Sequence, residues 1–360
     1  MNFASIIRDP LFHLPIKQEK EDFRATIDKR LKQFLEKVDS LTSLDILDAP
    51  FSVDFVKRVQ HNFVGGLMKT LDAYYNGSPF KAYQQLDRTL RSDLKNFAEI
   101  LKFKEYMVGE DFYRIRIKKE NFPLESRDMF HVPFEDRDIV STQRYSIPGF
   151  PCLYLGATIY GCWEEMNRPA ISDFQVARLT NTESIRCLDL TRPISDEDVP
   201  TEEWYRYFMT WPLIACCSVK VKNPIAPFKS EYIIPQLLLQ WVRNDERIGG
   251  IRYTSTHIDI HSTDSEGDFS NVALPVRTSS KKGHCPRLKK LFAITEPISW
   301  QLKQYASGGG LFLHNRNEYD PINEKIPRLE LIKGRAYPYS YSVLGELELF
   351  LNGMPTKSLK

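Results

Sequence analysis

Four short segments carry residue types that suit a nucleotide site: Tyr113-Arg114, Arg144-Tyr145-Ser146, Leu153-Tyr154-Leu155 and Glu164-Glu165. An arginine fork binds phosphate oxygens two at a time with charge assistance. Arg114 and Arg144 are therefore candidates for a phosphate group. A tyrosine offers an apolar ring for stacking and a hydroxyl for hydrogen bonding, which suits Tyr113 and Tyr154. A carboxylate, here Glu165 or Glu164, binds sugar hydroxyls or stabilises a developing cation. Serine hydroxyls at Ser146 and Ser255 could hydrogen-bond a phosphate or hydroxyl oxygen. Each has an ordinary alternative: an ion pair for either arginine, core packing for Tyr154, a strand position for Ser255, a solvated helix face for the unused glutamate.

Short elements must position these groups. FYRIRIK, residues 112–118, alternates and predicts a strand. Pro123, Pro133, Pro148 and Pro151 punctuate the loop-rich stretch that follows. CLYLGA, residues 152–157, predicts a short apolar strand. ATIYGCWEEM predicts a helix whose first turn begins near Thr158 and which Asn167-Arg168-Pro169 stops. Successive helical residues point about 100° apart, so Glu164 and Glu165 cannot face one ligand equally. SIRCLDL, GIRYTSTHIDI and NVALPV predict further strands, and residues 204–218 and 231–242 predict helices. Asn271, which starts NVALPV, could orient the same loop.

Before Gly109 the texture is helical. Phe23, Ile27, Leu31, Phe34, Leu35 and Val38 share one helix face. Phe55, Val56, Val59, Phe63, Leu67 and Leu71 share another, with Gly65-Gly66 marking a close helix contact or a kink. After Asn76-Gly77, a third face carries Phe80, Tyr83, Leu86, Leu90, Leu94, Phe97 and Leu101. Beyond them no regular βαβ alternation appears, which argues against a doubly wound parallel sheet and for an α+β fold. The expected division is a helical domain over residues 1–108 and a mixed α/β domain over 109–360.

Composition narrows the function classes. With 360 residues, 42% hydrophobic and 27% charged, the chain is an ordinary globular one. A net charge of +2 gives no electrostatic footprint for nucleic acid. Lys281-Lys282 and Lys289-Lys290 read as solvated faces. Arg8, Asp9 and Pro10 interrupt any signal-peptide core, and no apolar run reaches the length of a membrane span. A cytoplasmic protein is expected. The six cysteines form no C-x-x-C pair and read as small buried hydrophobes. His257 and His261 lack a third ligand nearby, so no metal is expected. Pro10 denies Arg8 and His13 the helix that a ribonuclease motif needs. Gly308-Gly309-Gly310 lacks the Lys and Ser/Thr of a phosphate-binding loop.

The order and spacing of the motifs resemble the RES domain, a family named for an arginine, a glutamate and a serine. Its pattern is matched by Tyr113-Arg114, by Arg144-Tyr145-Ser146 with Pro148-Gly149, by Leu153-Tyr154-Leu155 with Glu165, and by Gly250-Ile251-Arg252-Tyr253-Thr254-Ser255. The resemblance covers about residues 110–300 and leaves the N-terminal helices outside it. Trp163 and Tyr160 are bulkier than the small residues usual in that helix. The resemblance implies an ADP-ribosyltransferase-like core of two small splayed β-sheets and an NAD+-degrading activity, found in several members that act as toxins of toxin–antitoxin pairs. Its spacing favours Glu165 over Glu164, though a one-residue slip selects the other.

For that chemistry one carboxylate suffices. Cleavage of the nicotinamide–ribose bond develops an oxocarbenium-like cation, and the nicotinamide leaves neutral without needing a proton. Glu165, Arg114 and Arg144 are the expected catalytic residues. Tyr113, Tyr154, Ser146, Ser255 and Glu164 are the expected binding residues. NAD+ is the expected substrate, with no bound cofactor, and the acceptor is inorganic phosphate or water. An ADP-ribosyltransferase or a non-catalytic ADP-ribose sensor are the alternatives. An antitoxin or other regulatory partner and a homo-oligomer fit the same picture.

Overall fold

The computed structural model describes residues 6, 8–19, 21–44, 52–91, 101–118, 122–193, 201–259, 265, 267–278, 280–306 and 325–359. The helices α1 (Phe23–Asp39), α2 (Val53–Tyr75) and α3 (Pro79–Arg91) come first. Next are β1 (Phe103–Tyr106), β2 (Asp111–Ile117), β3 (Cys152–Gly156), α4 (Ile159–Glu165), β4 (Phe174–Asn181) and β5 (Ile185–Leu190). The helices α5 (Thr201–Cys217) and α6 (Ile233–Asn244) precede β6 (Gly250–Thr254) and β7 (Ser270–Pro275). The chain ends in α7 (Pro286–Leu291), β8 (Phe292–Ile294), α8 (Trp300–Ala306), β9 (Leu329–Ile332), β10 (Arg335–Tyr337), α9 (Val343–Asn352) and β11 (Lys357–Ser358). This is an α+β fold. It divides into two compact units: Met1–Lys104 with Thr142–Ile147 and Leu188–Thr256, and Glu105–Ser141 with Pro148–Cys187 and His257–Lys360.

The first unit joins the N-terminal helices to α5, α6 and β6. Asp22 caps α1 by accepting from the Ala25 N–H at 2.8 Å, and Ser52 caps α2 by accepting from Phe55 at 3.2 Å. The apolar faces expected for these helices are inside: Phe23, Ile27, Leu31, Phe34 and Val38 on α1, and Val56, Val59, Phe63, Leu67 and Leu71 on α2. Phe34 stacks on Trp211 of α5 at 4.8 Å, and Phe12 meets the same ring at 5.0 Å. Burying aromatic side chains of this kind contributes about 1.5–3 kcal/mol each. Gly65-Gly66 marks a close contact and no break, because α2 runs on to Tyr75. A Cβ on Gly66 would lie 2.3 Å from Thr89 Oγ1 of α3. Asn76 ends α2, and Gly77 turns the chain at φ +76°.

Several sequence expectations change here. Phe80 is exposed, since it lies in the first turn of α3 ahead of the face set by Ala82, Leu86, Thr89 and Leu90. Leu94 and Phe97 lie outside the described residues. The helix expected from 231 opens as a 3-10 turn, Ser230–Tyr232, and becomes α-helical at Ile233. The strand in GIRYTSTHIDI stops at Thr254, so His257 is not on it, and His261 is outside the described residues.

In the second unit six strands run in the order β7-β3-β2-β4-β8-β11, with each neighbouring pair antiparallel. A small second sheet pairs β9 with β10. Alternation along the strands fills both faces of the larger sheet. Phe112, Leu153, Leu155, Ala177 and Leu179 join Met129, Phe130 and Phe134 on one side. Tyr113, Ile115, Phe174 and Val176 join Ile159 and Tyr160 of α4 and Leu344, Leu347 and Leu351 of α9 on the other. β4 sits beside β2 along its whole length and anchors it.

Candidate functional site

The local sequence around β3 and α4 builds the site's frame. Thr158 caps α4 by accepting from Gly161 N–H at 3.1 Å, as its position before the apolar run predicts. The helix lasts only to Glu165. Asn167 and Arg168 then adopt left-handed backbone, at φ 59° and 54°, an uncommon conformation for residues other than glycine. That turn brings Arg168 back onto Glu164. Its Nη2 donates at 2.7 Å and its Nε at 3.0 Å to the two carboxylate oxygens, and its guanidinium lies 5.3 Å from the Trp163 ring.

The two candidate glutamates therefore differ in kind. Glu164 is buried and neutralised by a forked ion pair. Glu165 is half-buried and accepts one hydrogen bond from a neutral donor, Asn271 Nδ2, at 3.2 Å. No cation among the described residues pairs with it. Only Glu165 keeps an uncompensated charge with which to stabilise a cation.

Arg114 follows the point where β2 and β3 part. β3 pairs with β7 along its full length, yet β2 and β3 are in register only at Tyr113 and Gly156. Side chains satisfy the freed backbone carbonyls. Arg114 Nη1 donates to Tyr154 O at 3.0 Å, and Cys162 Sγ donates to Tyr113 O at 3.2 Å. Arg114 Nε is buried and has no hydrogen-bond partner. Burial, with Arg116 adding repulsion, pulls the Arg114 pKa down to about 10. The guanidinium is thus desolvated, and no carboxylate among the described residues pairs with it. Burial pushes the Cys162 thiol up to about 12, and the charges of Arg114 and Glu165 both act on it.

Residues far away in sequence hold this frame. Glu348 of α9 accepts from the Ile159 N–H at 2.9 Å and from the Tyr339 hydroxyl at 2.9 Å. The Tyr113 hydroxyl donates to Asn352 Oδ1 at 2.6 Å, and burial first, then Glu348, raises its pKa well above the usual phenol value. Tyr160 and Trp163 pack in the apolar cluster shared with α9.

His131 is fully buried near Arg114. Its Nε2 accepts from Cys285 N–H at 2.8 Å, so the hydrogen is on Nδ1, which donates to Val132 O at 2.7 Å. Burial lowers its pKa to about 4, from 6.5. The unfolded chain takes up this proton below about pH 6.5 and the folded chain resists to about pH 4. The stability is whole above pH 6.5 and drains away as pH falls through that window, by about 3 kcal/mol in all. Urea unfolding at pH 7.5, 6 and 5 should show this loss, and His131→Gln should flatten it. An equal slope in the variant would contradict the assignment.

The other three expected site residues lie in the first unit. Arg144 Nη1 donates to Cys217 O at 3.0 Å, and Nη2 donates to Val219 O at 3.1 Å and Thr256 Oγ1 at 3.0 Å, under the Tyr232 ring. Ser146 and Ser255 are buried. Tyr145 and Tyr253 from the same two motifs meet at 4.6 Å between ring centroids. Among the described residues no three His, Cys, Asp or Glu side chains gather as a metal would need, and no helix is long and apolar enough to cross a membrane.

A protein of Bacillus subtilis (strain 168) named "Putative toxin YopC" is 30% identical over 349 residues, covering 92% of this chain and 76% of that protein. The chain belongs to the YopC family. No family model matches it, and no solved structure does. A match over 92% of the chain is too long for either unit alone, so likeness to YopC takes in the helical unit as well.

Proposed function

We propose that this chain is a toxin that degrades NAD+, cleaving the nicotinamide–ribose bond in the manner of RES-domain proteins. The observation that carries the reading is the pairing of opposite unmet needs in the second unit. Arg114 has a buried donor without a partner, and Glu165 has a carboxylate without a cation. NAD+ brings the complementary charges, an anionic pyrophosphate and a cationic nicotinamide ribosyl centre. Glu165 stabilises the ribosyl cation, Arg114 holds a phosphate oxygen, and the half-buried Tyr154 is the tyrosine placed to meet the nucleotide, while Tyr113, buried with its hydroxyl on Asn352, supports β2 from the core. Glu164 serves as the anchor of Arg168. Arg144, Ser146 and Ser255 enter only through the RES resemblance. The printed name of YopC supports the toxic role. An antitoxin or other partner that restrains the enzyme belongs to the same reading.

The acceptor is inorganic phosphate or water, acting in the cytoplasm. Product analysis of NAD+ incubated with the full-length protein, with and without phosphate, separates these. ADP-ribose-1″-phosphate names a phosphorylase, and ADP-ribose in both samples names a glycohydrolase. ADP-ribose attached to a protein or nucleic acid would replace this reading with a transferase.

A further inference from the structure

We infer that Asn271 is the positioning residue for Glu165, fixing one carboxylate oxygen so that the other stays open to the reacting sugar. The inference rests on the NAD+-cleavage reading and adds a residue that the arginine–glutamate–serine pattern lacks. Asn271 is buried at the start of β7, 106 residues from Glu165 in sequence, and its Nδ2 donates to Glu165 Oε1 at 3.2 Å. It sits directly across from Gly156 in the β3–β7 ladder.

The fit around the amide is close. An ideal Cβ on Gly156 would lie 3.1 Å from Asn271 Oδ1, 2.5 Å from Cys162 Sγ and 2.9 Å from Thr158 O. One on Gly161 would lie 3.6 Å from the same Oδ1. Only glycine at 156 leaves room for the amide beneath the first turn of α4. The chemistry of the donor matters as much as its place. A lysine or arginine here would neutralise the carboxylate, as Arg168 does to Glu164. An amide orients it and leaves its charge for the transition state.

The test uses the full-length protein. Wild type, Asn271→Ala, Asn271→Asp and Glu165→Gln are compared for kcat and KM with NAD+ and for melting temperature. Asn271→Ala should lower kcat on the order of 10–100-fold with KM held within about threefold, as expected when a reacting group is misplaced. Asn271→Asp keeps the shape, cannot donate and repels Glu165, so it should lose at least as much. If Asn271→Asp does not fold, Asn271→Ser, smaller and uncharged, takes its place with the expectation set for alanine. A wild-type kcat in Asn271→Ala overturns the inference alone, as does a rise in KM with kcat unchanged. Failure of the wild type itself to consume NAD+ overturns the underlying function, and the inference with it.

Discussion

Glu165→Gln should lose NAD+ cleavage by on the order of 10²–10³-fold while nucleotide affinity and melting temperature change little. The neutral amide keeps the size of the side chain and removes the charge that, under the proposed function, stabilises the ribosyl cation. Glu164→Gln should behave in the opposite way. Glu164 is buried, and both of its oxygens accept from Arg168. Removing its charge loosens the left-handed turn that ends α4, so the melting temperature should fall while kcat stays within about tenfold of wild type. The two glutamates are neighbours in sequence and differ in partners and burial, so the pair of variants separates charge used in chemistry from charge used in folding. Equal kinetic losses in both would mean that the Arg168 clamp is itself part of the active site. A large loss in Glu164→Gln alone would move the catalytic role to Glu164.

The largest effect on stability should come from Asp189→Asn in the first unit. Asp189 is buried at the end of β5. Its Oδ2 lies 3.0 Å from Arg252 Nη1 and 3.3 Å from Lys102 Nζ, and its Oδ1 accepts from the Thr191 N–H and hydroxyl. Burial by itself would raise its pKa, but Arg252, Lys102 and Thr191 together hold it below the usual carboxylate value. Glu203 also reaches Lys102, at 3.1 Å, yet it is 42% exposed and cannot replace a buried charge. The asparagine variant removes the buried charge that Arg252 and Lys102 share, and Lys102 keeps only the half-exposed Glu203 as an ionic partner among the described residues. The expected cost is about 3–5 kcal/mol, read from urea unfolding. Replacing the triad together, as Asp189→Leu with Lys102→Met and Arg252→Leu, should cost much less, because the buried charges go together and the Glu203 carboxylate that loses Lys102 is half-exposed to water. A loss under about 1 kcal/mol in Asp189→Asn would show that water reaches this cluster.

Local rules made much of the site's frame legible. Thr158 as the cap of α4, the apolar strand β3 and the stop after Glu165 follow from capping, a short apolar run and a proline. The helical faces of α1 and α2 follow from spacing. What stayed hidden depends on distant pairing. Asn352 meets Tyr113 across 239 positions, and Glu348 meets Ile159 across 189. No spacing rule reaches that far. The Arg168 clamp was hidden for another reason. Asn167-Arg168-Pro169 reads as a helix stop, and it is one, but the stop is also the turn that returns Arg168 to Glu164 at i+4. FQVARLTN, the sequence of β4, carries no clear strand pattern because it mixes buried polar residues with apolar ones. Gln175 and Asn181 are buried because they bond the backbone of neighbouring loops, through Phe122 O and Met107 O. Local periodicity predicts a helical unit over residues 1–108, while the compact unit of the structure joins residues 1–104 to 142–147 and 188–256. Membership of a compact unit is set by packing, which local periodicity does not encode.

The most direct test is nicotinamide release from NAD+ by the purified full-length protein, followed over time. The account predicts one nicotinamide formed for each NAD+ lost, at a rate lower by on the order of 10²–10³-fold with Glu165→Gln. Intact NAD+ with the wild type, in the presence and absence of phosphate, while NAD+ still binds, would contradict it and leave a nucleotide-binding protein in place of an enzyme.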